Sequence, residues 1–231
     1  MKNSKPLLFS VVLACALPIT TMAAAPAPAV EQAFNQMDIS ELEDLGTTGT
    51  DPYLRAYTSY RLAIARHLTQ HADAGAALDQ AMQELEQLHG LESNSDAAAL
   101  LSMIYGYQIA LAPLNAVRYG PKNRKMTDLA LTLDADNPRA KLAEGISLYH
   151  RPSVFGGSKQ KALKAFARAA TLYRNGRGGA TADWGLAEAL VWQGLAAQEL
   201  GRDDEARQLW RDALVARPDF HWASNLLEAE K

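Results

Sequence analysis

The amino-acid sequence predicts an all-α fold, a right-handed solenoid of about four stacked helix pairs closed by a C-terminal capping helix. Three observations predict it. Near the C-terminus Gly194, Gly201, Ala206, Trp210, Ala213 and Pro218 set small, bulky and helix-ending residues at the spacing of two antiparallel helices and their turn. The pattern recurs in Pro138, Gly145, Ala162, Phe166 and Ala169, and again between Gly106 and Ala130. A fainter copy carries Ala74, Leu78 and Ala81. Internal repetition at this spacing is the mark of a stacked helical array.

The spacing has a physical cause. Antiparallel helices approach to about 8–10 Å only where facing side chains are small. Gly194 and Ala206 let the two helices of the last unit meet, Trp210 fills the groove beside them, and Ala213 admits the next pair. Gly201 supplies a turn in the left-handed region, where glycine is not penalised. Asp203 and Asp204 lie where a helix N-terminus favours negative charge. These are the intervals of the tetratricopeptide-repeat (TPR) type, about 34 residues long, and the two middle units stretch to about 39 through insertions between their helices.

Taken in order, the chain opens with Lys2 and Lys5 ahead of the apolar run Leu7–Ala14, followed by small residues at Thr21 and Ala23. Residues 1–23 therefore read as a signal peptide cleaved near Ala23. Cys15, behind Val12-Leu13-Ala14, resembles a lipoprotein signal, but the apolar stretch continues to Ile19 and favours cleavage over lipidation. The exported part then carries no cysteine, which excludes disulfides, a thiolate nucleophile and cysteine metal ligation. Loss of Lys2 and Lys5 from 23 basic residues, against 26 acidic, moves the net charge from -3 to -5. That balance argues against general nucleic-acid binding. No segment suits a membrane span of about 20 residues.

Residues 24–50 form a leader, expected to be flexible over the alternating Ala-Pro run 24–29 and helical where Phe34, Met37, Ile39, Leu42 and Leu45 recur. Asp51-Pro52 opens the repeat domain, 51–231, with units near 51–92, 93–137, 138–176 and 187–220. Asn175–Gly179 marks a break before the last unit, and a cap at 219–229 carries Trp222, Leu226 and Leu227.

The runs Tyr119-Gly120-Pro121-Lys122, Asn137-Pro138-Arg139 and Phe155-Gly156-Gly157, with the ending Pro218-Asp219-Phe220-His221-Trp222, resemble a group of exported bacterial TPR proteins over residues 99–229. The resemblance implies the solenoid and an envelope location, expected to be periplasmic, and carries over no functional residue.

Candidate binding residues gather on the two insertions. One carries Arg118, Tyr119, Lys122, Arg124 and Lys125; the other carries Phe155, Gly156 and Gly157 before a helix starting at Lys159. Occupying the same place in adjacent units, they are expected on one edge, where with Arg139 and Lys164 they would make a basic, partly aromatic surface for an acidic peptide or anionic ligand. The structural alternative is that Ser158 caps the helix, the glycines make the turn and Phe155 plugs a gap between units. Arg139 has its own structural option, pairing with acidic residues at the helix start such as Asp136. Trp184 and Trp192, eight apart, are expected on the last unit's first helix, one of them an anchor on the concave face. His67 and His71 share a helix face but lack a third ligand, so no metal site is expected. No nucleophile elbow or phosphate loop is present, and Glu84 with Glu86 or Asp203 with Asp204 lie on polar faces. The sequence therefore reads as a non-enzymatic protein–protein interaction scaffold of the bacterial envelope, without cofactor or metal and with a protein or peptide partner. A small-ligand or anion-binding accessory protein is the alternative.

Overall fold

A computed structural model describes residues 26–71, 73–88, 90–178 and 184–229. Among them lie the helices α1 (Pro26–Asn35), α2 (Ile39–Thr48), α3 (Pro52–Leu68), α4 (Ala74–Glu86), α5 (Ser95–Leu111), α6 (Ala116–Leu133), α7 (Pro138–His150), α8 (Lys159–Arg174), α9 (Leu186–Gln198), α10 (Asp203–Ala216) and α11 (His221–Ala229). No strand occurs among the described residues. The fold is the all-α, TPR-like solenoid. Helices α3 with α4, α5 with α6, α7 with α8 and α9 with α10 form antiparallel pairs, α11 packs on α10, and α1 and α2 pack at the other end against α3. The expected signal peptide lies outside the described residues.

Local chemistry sets the helix starts. Asp51 and Asn94 each accept a backbone N–H three residues on, and Asn137 accepts two, from Arg139 and Ala140. Pro52 and Pro138 stand in first turns, where their missing N–H costs nothing. The same tolerance explains the leader: the Ala-Pro run, expected to be flexible, enters α1 at Pro26. Gly201, at φ 73°, makes the expected left-handed turn between α9 and α10.

The packing within each pair follows the small-against-large rule. A Cβ at Gly194 would overlap the Trp210 indole, and one at Gly145 would overlap the Phe166 ring. In the second unit the corresponding glycine, Gly106, faces Asn123 instead of an aromatic ring. Asn123 is buried and fully engaged: its Nδ2 donates to the Ser102 carbonyl (2.7 Å), and its Oδ1 accepts from Ser147 Oγ (2.6 Å). Ser102 and Thr127 hydroxyls share a further bond of 2.7 Å. This polar ladder runs from the second unit into the third and joins α5 and α6 to α7. A buried network of this kind fixes register because each member left unpaired would be costly.

The two insertions are accommodated differently. The first becomes helix: α5 and α6 are long, and only a 3-10 turn over Pro113–Asn115 separates them. Arg118 to Lys125 therefore lie on α6, not on a loop. Pro121 is tolerated in its second turn because the carbonyl left without a donor belongs to Val117, at the exposed helix start. The second insertion stays a turn, with a 3-10 segment over Ser153–Phe155 and Gly156 left-handed at φ 91°.

Candidate binding surface

The inner side of the solenoid is occupied by the chain's own charges. Arg61, on α3, is 3% exposed and holds two carboxylates, Glu31 of α1 at 2.8 Å and Glu188 of α9 at 2.7 Å. Glu31 also accepts from the Tyr57 hydroxyl and pairs with Arg217, beyond α10. The cluster thus ties the first helix, the first unit and the last unit together. Burial works against the Glu31 carboxylate, but Arg61 and Arg217 outweigh it and hold its pKa below the ordinary range. For Arg61, burial is likewise outweighed by Glu188 and Glu31, so the guanidinium stays charged.

Trp184 and Arg139 belong to this inner side. Trp184 is 2% exposed, precedes α9, and stacks on Tyr57 with ring centroids 4.5 Å apart. The Arg139 guanidinium lies 4.9 Å from the Trp184 ring. It pairs with Asp96 at 2.9 Å and donates to the Gly178 carbonyl. Asp96 is thus its partner; Asp136 pairs with Arg168 instead, at 2.6 Å. An anchor tryptophan open to a groove is not what the inner face presents. Trp192 is half-buried, between Phe166, Tyr149, His150 and Trp222.

The edge formed by the turns between paired helices is different. Arg124 donates to the Phe155 carbonyl at 2.9 Å, so the α5–α6 and α7–α8 turns stand side by side. Here Leu114 is 92% exposed, Val117 89%, Val154 83% and Phe155 67%. Phe155 therefore projects and fills no gap. Gly157 has no room for a Cβ, which would overlap the Arg151 carbonyl, and Ser158 caps α8 by accepting from the Lys161 N–H. Arg118 and Lys125 are exposed, with no ion pair among the described residues. Lys122 is partly satisfied by Glu86 at 3.3 Å and lies over the Tyr105 ring. Tyr119 is buried, stacked on Tyr105. Lys159 sits 3.3 Å from the Tyr149 ring centroid and 4.0 Å from Glu199. Arg151 donates to Ser147, and burial, then the adjacent Arg124, lowers its pKa, with Asp128 opposing. Two guanidiniums are thus crowded together at this edge.

The charge segregation is written in the sequence as well. No Asp or Glu occurs between Asp96 and Asp128, and none between Glu144 and Asp183. These two stretches build the edge of the second and third units, in a chain whose overall charge is negative.

Of the expected site residues, the structure brings Arg118, Lys122, Arg124, Lys125, Phe155, Gly156, Gly157 and Lys159 to this edge, and takes Arg139 and Trp184 to the inner cluster. Sequence reasoning missed Glu31, Arg61, Glu188 and Arg217. The signal was there for two of them: Arg61 interrupts the small and apolar run of α3, and Glu188 that of α9. A lone charge on an otherwise buried helix needs a partner. His67 Nδ1 lies 2.8 Å from the Tyr107 hydroxyl, which gives it a structural bond. Glu84 is paired with Arg55 and Asp204 with Arg207, both at 2.7 Å.

No protein-family model matches the chain, nor does any curated protein sequence. Among solved structures, the HusA haemophore from Porphyromonas gingivalis matches with a TM-score of 0.58 and 23% identity, over 74% of this chain and 94% of that one. Two structures of MamA match more loosely. One has a TM-score of 0.41 and 15% identity, covering 84% of this chain and 90% of that one. The other has 0.40 and 16%, covering 82% and 94%. Among the described residues no helix is long and apolar enough to cross a membrane. At these identities the likeness to known structures is one of fold, a stack of helix pairs.

Proposed function

We propose that the chain is a non-enzymatic interaction scaffold of the bacterial cell envelope, and that its working surface is the basic edge of the second and third units. The observation that carries this reading is the contrast in charge pairing. The inner face, where helical-repeat proteins commonly receive partners, is filled by the Glu31–Arg61–Glu188 cluster, whereas Arg118 and Lys125 stand exposed with no ion pair among the described residues, and Arg124, also exposed, donates to a backbone carbonyl. Unpaired cations next to exposed apolar side chains suit an anionic counterpart. The export signal and the envelope location rest on the sequence alone.

The test is crosslinking in intact cells, then capture of the tagged protein and identification of what is bound to it. Wild type is compared with a variant carrying Arg118→Ser, Arg124→Ser and Lys125→Ser. A species held by wild type and lost from the variant is expected. The same yield from both would remove the edge from the function.

A second reading is favoured by one cluster. Tyr149, His150, Trp192 and Trp222 meet edge to face within 5.0–5.4 Å, with Lys159 against Tyr149. Such aromatic surfaces with a cation suit a flat, carboxylated ligand, and the haemophore among the structural neighbours makes haem the probe to use. Spectral titration with haem should then show saturable binding that is lost on Trp222→Ala; an unchanged haem spectrum would end this reading.

A further inference from the structure

We propose that the edge carrying the α5–α6 and α7–α8 turns is a membrane-docking surface, which inserts Leu114, Val117, Val154 and Phe155 at the face of a bilayer containing anionic lipid and holds Arg118, Arg124 and Lys125 against its phosphates. The proposal rests on the reading of this edge as the working surface and names its counterpart.

The distribution of exposed apolar side chains is the first argument. The large ones most exposed among the described residues are Leu68, Leu114, Val117, Val154, Phe155 and Val215. All but Val215 lie at turns joining the two helices of a pair, and those turns share one edge of a solenoid. Leu68 ends α3 in the first unit, and the other four crown the second and third. Scattered surface apolar residues are ordinary, but a row along one edge marks a contact.

The second argument is shape. Leu114 protrudes from the 3-10 turn before α6, Val117 from the first turn of α6, and Val154 and Phe155 from a second 3-10 turn, and two clefts among the described residues lie elsewhere. One, of about 190 Å³, is lined by Glu31, Asn35 and Arg217 among others; another lies beside Val30 and Leu54. A protein partner is usually received by side-chain pockets, whereas a lipid surface receives protruding apolar tips at the boundary of headgroups and acyl chains. These tips are also held in place. Asn115 donates to the Gln108 carbonyl at 3.1 Å, the Gly157 N–H to Pro152, and Arg124 links one turn to the other. Ordered turns reduce the entropy lost on docking.

Charge complementarity supplies the third argument. Both acid-free stretches, the second of which includes Lys161 and Lys164 on α8, place cations behind the apolar tips, and Asp128, one turn on from Lys125, bounds the first of them. Anionic headgroups attract such residues at about 1 kcal/mol each, or about fivefold in affinity. Two signals together, apolar and basic, are what stable peripheral attachment requires.

The experiment is sedimentation of the full chain with phosphatidylcholine vesicles, with and without phosphatidylglycerol. Binding is expected only with phosphatidylglycerol and should weaken as salt screens it. The Arg118→Ser, Arg124→Ser, Lys125→Ser variant should bind on the order of 100-fold more weakly. Leu114→Ser with Phe155→Ser should weaken binding by about tenfold. Unchanged circular dichroism in both variants would keep the comparison free of folding effects. Failure to sediment with phosphatidylglycerol, or sedimentation indifferent to both variants, overturns the lipid assignment. If the edge variant then still loses an acidic protein crosslinked in cells, the edge stands as a protein-binding surface; if neither assay responds to it, the edge falls too.

Discussion

The inner cluster and the outer edge use the same residue types to opposite ends. Inside, Arg61 is gripped by Glu31 and Glu188, and Arg139 by Asp96 and the Gly178 carbonyl. Outside, Arg118 and Lys125 face solvent with no ion pair among the described residues, beside apolar side chains that the fold leaves uncovered. A guanidinium in the interior must be matched because its desolvation is costly. One on the surface is free to be matched by something else. The lesson is that cation count says little about where a helical repeat works, and pairing says much.

The sharpest way to break this contrast is to remove one member of the inner cluster. Arg61→Met leaves Glu31 and Glu188 buried without their shared cation, and should lower stability by about 3–5 kcal/mol in urea unfolding. A variant as stable as the parent would mean that the cluster is open to water. Next in size are the close approaches within the last two units. Gly194→Leu or Gly145→Leu would drive a side chain into Trp210 or Phe166 and should cost about 1–3 kcal/mol. If both unfold like the parent, the packing of these pairs is misassigned.

Acid offers a gentler probe of the same cluster. The folded pKa of Glu31 is depressed below the ordinary glutamate value of 4.5. Its contribution to stability is therefore complete above that value and lost as pH falls through the lower, folded one. Melting temperature should decline on acidification below about 4.5, and Glu31→Gln should remove part of that decline. A Glu31→Gln protein with the parent's full acid dependence would place the titration elsewhere. The smallest effect is expected at the edge, where Arg118→Ser, Arg124→Ser and Lys125→Ser together should change stability by only about 0.5 kcal/mol per site or less. A larger loss would show that these residues support the fold.

The fold was legible because its signals are local. Gly194, Gly201 and Trp210 each answer to one turn or one helix contact, and the structure has them in those contacts. The edge was half legible: the two insertions, one with Arg118, Arg124 and Lys125 and the other with Phe155, could be assigned to one side from their shared position in adjacent units, but not the conversion of the first insertion into helix. That depended on α5 and α6 lengthening together around the Ser102–Asn123 ladder. The inner cluster was hidden because Arg61 and Glu188 are 127 residues apart, and Glu31 and Arg217 186 apart. No periodicity within a unit reports a contact that depends on how the whole solenoid curves.

The claim that the edge, not the inner face, is the working surface has one most direct test. A photoreactive amino acid replaces Ser153, on the tip of the α7–α8 turn, and in a second protein replaces Val215, exposed at the opposite side of the repeats. Irradiation of intact cells should yield a crosslinked adduct, lipid or protein, from position 153 and little from position 215. Equal adducts from both positions, or adducts from 215 alone, would contradict the account.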